Sequence, residues 1–352
     1  MTTTIGWGAL GRQVRQARLG RQMSQDELGE RIGVDRSAVV RIEAGERKIS
    51  VLEMLGISET LRVPMSWLVD PKPSMVSRRR DLDERATRVD AQQFAVDVAL
   101  DRAARDVEQL HAAGLLPAMP RASTVSSEDE ARDLARRIRA DLGYGTRPLP
   151  EMADVAAQLG LHIIVIDEDI DGASVSIVPG LGAAVIGVQR DPGRRRMTAA
   201  HEIGHHVIGD EYSADLGIAT PRDARELIID AFAQEFILPA GALSAATRTD
   251  LIGVAASYRV SWGAVIATAQ RRGLLDARDA QALKAHSPTL GDFVAVTGSG
   301  VPEDLTMITR SKTWGIAVMR ALEAGTVARS RATELLPALT ADDLPDSQDA
   351  RW

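Results

Sequence analysis

Cysteine is absent from this 352-residue chain, and histidine is scarce, with six in all. Without thiols there is no disulfide framework and no sulfur-ligated zinc, so a metal site would have to be built from imidazoles and carboxylates. Also missing are an apolar run of about 18 residues or more and a basic flank leading into an apolar leader. A soluble cytoplasmic protein with no membrane contact is therefore expected. Apolar residues make up 45% of the composition, enough for two or three domains to have a core each.

The net charge of -7 is unevenly spread. Residues 1–80 carry 14 Lys/Arg against 9 Asp/Glu, whereas residues 81–352 carry 28 against 40. A small basic module joined to a larger acidic one suits a DNA-binding domain attached to a different activity.

The pattern along the chain supports that division. "LGRQVRQARL" sets Leu10, Val14 and Ala17 at helical spacing, and "MSQDELGERIGV" offers Ser24 and Glu27 as a reciprocal capping box before Leu28 and Ile32. Asp35 can cap a third helix that stops near Gly45, and two more short helices follow. Five helices in so short a span predict an all-α bundle over residues 8–70. The stretch "DPKPSMVSRRRD" reads as a linker, and residues 71–125 are expected to hold it and a polar helix. Residues 126–285 are expected to form an α+β domain. In it the β-branched "LHIIVIDED" reads as a strand, followed by two more in "ASVSIVPG" and "AAVIGVQ". A mixed α/β region is expected over 286–352.

Half of the histidines fall within "HEIGHH" at residues 201–206. On a helix His201 and His205 stand one above the other and present two imidazoles to one ion. In the pattern H-E-x-x-H the intervening Glu202 does not bind the metal and can activate a water as general base, then pass the proton to a leaving amine. Gly204 would admit a neighbouring segment. His206 points about 100° away from His205 around the helix and is expected to be structural. A catalytic zinc needs a third protein ligand. The segment "PRDARELIIDAFAQEFILP" at residues 221–239 offers Glu226 for that role, with Asp230 one turn on accepting from the free N–H of a ligand histidine. Asp230 and Glu235 compete with Glu226 as ligand. Tyr212 lies near in sequence, and no oxyanion donor is assigned.

These segments, "RRMTAAHEIGHHVIG" and "AFAQEFILP", resemble the ImmA/IrrE family of bacterial zinc metallopeptidases over roughly residues 128–239. Thr198, Ala200, His201, Glu202, Gly204 and His205 match its first signature, and Asp230, Phe232, Ala233 and Pro239 its second. Ile228, where the family often has an acid, and Ile229, where it has alanine, depart from it. The resemblance implies a zincin-like fold, a Zn2+ cofactor, and cleavage of a protein substrate such as a repressor or antitoxin during a stress response.

The basic module resembles the Xre/Cro helix-turn-helix domains through Gln25 and the closing "RIEAGER". In such a domain helix two crosses the DNA backbone with Gln25 near a phosphate, while helix three enters the major groove. Arg36, Ser37 and Val40 would then face base edges, and Arg47 and Lys48 would suit phosphates. Domains of this kind bind palindromic double-stranded operators, which points to a possible homodimer. The whole reads as a transcriptional regulator fused to a zinc endopeptidase. The alternative is a non-catalytic transcription factor whose peptidase-like domain senses zinc or another ligand.

Overall fold

The computed structural model describes residues 6–69, 88–119, 125–209 and 222–345, and contact density divides the chain between Arg105 and Asp106 into two compact units. The first holds the expected bundle: α1 (Trp7–Gly20), α2 (Gln25–Ile32), α3 (Arg36–Glu43), α4 (Val51–Leu61) and α5 (Met65–Val69). Ser24 and Glu27 do form a capping box, and Asp35 accepts from the Ala38 N–H to start α3. Leu10, Val14, Ala17, Leu28, Val39, Ile42 and Ile57 make the core, with Phe94 and Val98 of α6 (Arg88–Ala112) packed into it.

One charged pair lies inside this bundle. Arg18 of α1 grips Glu43 of α3 with two bonds of 2.6 and 3.1 Å, and both side chains are almost wholly buried. Such a pair survives burial only when its remaining hydrogen-bonding capacity is used. Arg18 also donates to the Met23 carbonyl at 2.8 Å, and Gln25 donates to Glu43 at 2.8 Å. The starts of α2 and the end of α3 are thereby tied to α1.

In the second unit α7 (Glu128–Asp141) and α8 (Met152–Gln158) precede a three-stranded sheet of β1 (Leu161–Ile166), β2 (Gly172–Val178) and β3 (Leu181–Gly187). Strand order is β1-β3-β2, with β1 parallel and β2 antiparallel to the central β3. All seven residues of β3 are buried, which explains the weak alternation of "LGAAVIG". α9 (Pro192–Ile208) lies against β2 and β3, and α10 (Arg222–Ile237) packs between α9 and α7. The order of layers is thus sheet, α9, α10, α7.

Six further helices follow: α11 (Arg248–Tyr258), α12 (Trp262–Arg271), α13 (Ala277–Ala285), α14 (Leu290–Thr297), α15 (Lys312–Glu323) and α16 (Arg329–Leu335). The expectation of a mixed α/β region beyond residue 286 is corrected here, because the described residues from 286 to 345 contain no strand. The apolar run in "LGDFVAVT" is drawn into a helix by Thr289 and Asp292, whose side chains cap each other's backbone N–H groups at 2.8 and 3.2 Å.

This C-terminal region also anchors α9. Arg196 and Asp304 form a salt bridge with no solvent exposure on either side chain. Arg196 further donates to the carbonyls of Leu149 and Pro150 at 3.0 and 2.9 Å, and Asp304 accepts from the Met152 N–H at 3.1 Å. Arg195 reaches the Leu305 carbonyl at 2.9 Å. The first half of α9 is therefore fixed by residues more than a hundred positions away.

Candidate metal centre

α9 begins where Asp191 accepts from the Arg194 N–H and Pro192 supplies a preset first turn, and it ends at Gly209. Ala199, Ala200, Ile203 and Val207 bury one face, leaving His201 and His205 beside it only partly exposed, at 24% and 13%. α10 is held in place by Ile229, Phe232, Ala233 and Phe236, the two rings stacking at 5.2 Å. Each buried aromatic of this kind contributes roughly 1.5–3 kcal/mol. At Gly204 a Cβ would meet Phe232 Cδ1 at 3.0 Å and Ile229 Cγ2 at 3.1 Å, so the glycine does admit the neighbouring helix. That close approach brings the carboxylates of α10 over the histidines.

His201 Nε2 and His205 Nε2 are 3.1 Å apart, and Glu226 Oε2 lies 3.3 Å from the first and 3.8 Å from the second. Three ligands placed tetrahedrally around zinc at ordinary bond lengths stand about 3.3 Å from one another. The donor set, two imidazoles and one carboxylate, is also one that zinc accepts. These three side chains could hold a metal ion. Asp230 Oδ1 sits 3.0 Å from the other ring nitrogen of His201, Nδ1. It accepts from Nδ1–H, which turns the lone pair of Nε2 toward the other two donors. Burial works against a charged His201, but the Asp230 bond and the charges of Glu202, Asp230 and Glu226 outweigh it and raise its pKa.

The competing ligand assignments separate on position. Asp230 is on the Nδ1 side of His201, and Glu235 is buried, accepting from the Ala240 N–H at 3.2 Å and standing 3.9 Å from Arg136. His206 is buried with Nε2 3.0 Å from the Leu159 carbonyl, a structural bond. Glu202 is 6% exposed and accepts from the Ser174 hydroxyl at 2.5 Å. Tyr212 lies outside the described residues.

In the first unit Arg36, Ser37 and Val40 stand on the exposed side of α3, with Val40 42% exposed. Arg36 is only loosely paired, 3.7 Å from Asp26, and Ser37 donates to Asp35 at 2.7 Å. Gln25 is engaged by Glu43, as described above, and Arg47 by Glu53 at 2.7 Å. Lys48 is exposed.

Two family models match the chain. Residues 14–68 match the helix-turn-helix family model, and residues 156–269 match that of the IrrE N-terminal-like domain, a peptidase family. The chain carries both domains. No curated protein matches it. Among solved structures, PlcR of Bacillus thuringiensis in complex with the peptide PapR7 and DNA aligns with 98% of this chain and 100% of its own at 10% identity. Its TM-score of 0.20 is too low to carry an argument.

Two contributors to the placement of α9 and Glu202 escaped the sequence reading. Ser174 is one, and its only trace in the sequence is a polar residue at a buried strand position in "ASVSIV". Asp304 is the other, and it lies beyond the residues that match the IrrE-like family model.

Proposed function

We propose that the chain is a DNA-binding transcriptional regulator whose IrrE-like domain is a zinc-dependent endopeptidase acting on a protein such as a repressor or antitoxin. The observation that carries this reading is the meeting of His201 Nε2, His205 Nε2 and Glu226 Oε2 at the mutual distances that zinc requires, on a helix that also bears Glu202. His201, His205 and Glu226 would hold the ion, and Asp230 would orient His201. Zinc bound there would polarise a scissile carbonyl and make water more acidic. Glu202 would take the proton from the attacking water and deliver it to the leaving amine, a general acid–base role for a carboxylate placed beside the ligands.

The helix-turn-helix domain would place α3 in the major groove, with Arg36, Ser37 and Val40 toward base edges and Lys48 and Arg47 toward phosphates. A homodimer on a palindromic operator in the cytoplasm completes the proposal. DNA binding would deliver the peptidase to the promoter whose repressor it removes.

Elemental analysis of the purified full-length chain and comparison of cells expressing wild type or Glu202→Gln test this. Wild type should carry one zinc, and the variant should retain it. Quantitative profiling of new protein N-termini should reveal a fragment whose production falls about 100-fold or more in the variant. A zinc-free wild type overturns the reading. Zinc-loaded variant cells that produce every fragment at the wild-type rate would replace it with the zinc-sensing, non-catalytic regulator.

A further inference from the structure

Glu202 is a buried carboxylate on the helix that bears His201 and His205, and its usefulness as a base depends on which way its oxygens face. A glutamate has three rotatable bonds, so something must fix the plane of the carboxylate. The neighbouring strand supplies that group. Ser174, 3% exposed on β2, donates to Glu202 Oε2 at 2.5 Å. The contact is a direct hydroxyl-to-carboxylate hydrogen bond at the short end of the O–H···O range.

The strand around Ser174 is shaped for this contact. Side chains alternate along β2, so Gly172 and Ser174 share the face toward α9, and Val175 is buried on the other. At Gly172 a Cβ would stand 2.6 Å from Thr198 Cγ2 and 3.5 Å from Glu202 Oε1. A side chain there would have to push Thr198 aside and would press on the Val185 carbonyl at 3.1 Å. Gly172 thus lets α9 approach β2 at Thr198, next to the contact between Ser174 and Glu202 Oε2.

Resting on the peptidase reading above, we propose that Ser174 is a positioning residue for Glu202: its hydroxyl pins one carboxylate oxygen and aims the other at the group that sits on the metal. A hydroxyl that merely satisfied itself on a buried strand would make no difference to what binds at the ion. A positioning hydroxyl would.

The probe is acetohydroxamic acid, a small chelator whose own N–OH group must be met by an oxygen acceptor beside the metal. Its affinity for the zinc-loaded, full-length protein is measured by calorimetry for wild type, Ser174→Ala and Ser174→Thr, alongside zinc content. Ser174→Ala should keep its zinc and bind the hydroxamate about 10-fold more weakly, the factor expected for losing one hydrogen bond to a charged group. Ser174→Thr keeps the hydroxyl, suits a strand, and should recover affinity to within about 2-fold. Unchanged hydroxamate binding in Ser174→Ala overturns the inference, as does parallel loss of zinc and hydroxamate, or a zinc-loaded Ser174→Thr no better than alanine. A wild type that takes up no zinc overturns the peptidase reading itself and is thereby distinguished from failure of the inference alone.

Discussion

Asp230 of α10 reaches across to His201 of α9 and takes the hydrogen of Nδ1 at 3.0 Å, while the Nε2 of the same ring lies 3.3 Å from Glu226, one helical turn before Asp230. One helix thus addresses both nitrogens of one imidazole, with a carboxylate on each. The proposed function gives the two carboxylates different tasks, ligand for Glu226 and support of His201 for Asp230, and they can be told apart. Asp230→Asn keeps the shape but weakens the grip on Nδ1–H, and zinc affinity should fall by about 10–100-fold, as for other partners of metal-bound histidines. Glu226→Gln removes a ligand charge and should cost more, leaving substoichiometric zinc after dialysis. Titration against a chelating indicator measures both. A Glu226→Gln protein that holds zinc as tightly as wild type, beside an Asp230→Asn protein that has lost it, would reverse the assignment.

How much of this was visible beforehand depends on the range of the interaction. The pair His201/His205 and the pair Glu226/Asp230 are each four apart on a helix, and the helical period alone puts each pair on one face. The capping boxes of α2 and α4 are equally local, three residues wide. Ser174 meets Glu202 only because β2 is laid beside α9, and nothing within either segment encodes that register. The expectation of a mixed α/β region beyond residue 286 failed for the opposite reason, as in "DFVAVTG". Its β-branched residues carry a weak preference, and a local Thr289–Asp292 cap decided the outcome. Arg196 and Asp304 show the limit most plainly, for they pair across 108 positions of the chain.

That last pair gives a stability prediction. Asp304→Ala would leave the Arg196 guanidinium buried without its counter-ion and the Met152 N–H without its acceptor. Breaking a buried pair from one side costs about 3–5 kcal/mol. Thermal unfolding of the full chain should therefore begin several degrees lower in Asp304→Ala. The double variant Arg196→Met with Asp304→Leu, which removes both charges, should recover part of the loss. If the single variant melts with wild type, the strut between α9 and the C-terminal region is not supporting the metal helix.

His162 predicts acid sensitivity. It is buried on β1 against Trp314, its ring 5.8 Å from the indole, and Nδ1 has no hydrogen-bond partner among the described residues. Burial, with a smaller contribution from His206, pushes its pKa down to about 4 from an ordinary 6.5. The folded protein then keeps this imidazole neutral while the unfolded chain protonates it. Between those two values the unfolded state binds more protons, so stability is full above 6.5 and is lost as pH falls toward 4. The loss from this group is about 3 kcal/mol at most. In His162→Phe, which keeps a ring beside Trp314, the urea midpoint should drop less between pH 7 and pH 4.5 than in wild type. Equal drops in the two proteins would mean that His162 is not the group responsible.

The proposed DNA-binding face offers a contrast between two arginines. Arg36 is exposed and only 3.7 Å from Asp26, a surface pair of little strength, so removing it should leave the fold intact. Arg47 differs, because Glu53 holds it at 2.7 Å and this bond, reinforced by the Ser50 N–H, keeps the Glu53 carboxyl down at about 2. A phosphate contact by Arg47 would be made by a side chain already fixed in direction, which lowers the entropy lost on binding. Against a duplex selected from a random pool, Arg36→Ala should weaken binding about 10-fold and relax preference at one base position in each half-site. Arg47→Ala and Lys48→Ala should weaken all duplexes alike and each reduce the slope of log affinity against log salt by about 1. Anisotropy titrations at four salt concentrations separate these outcomes. Loss of sequence preference on removing Lys48, with none on removing Arg36, would place a different surface of the helix-turn-helix domain in the groove.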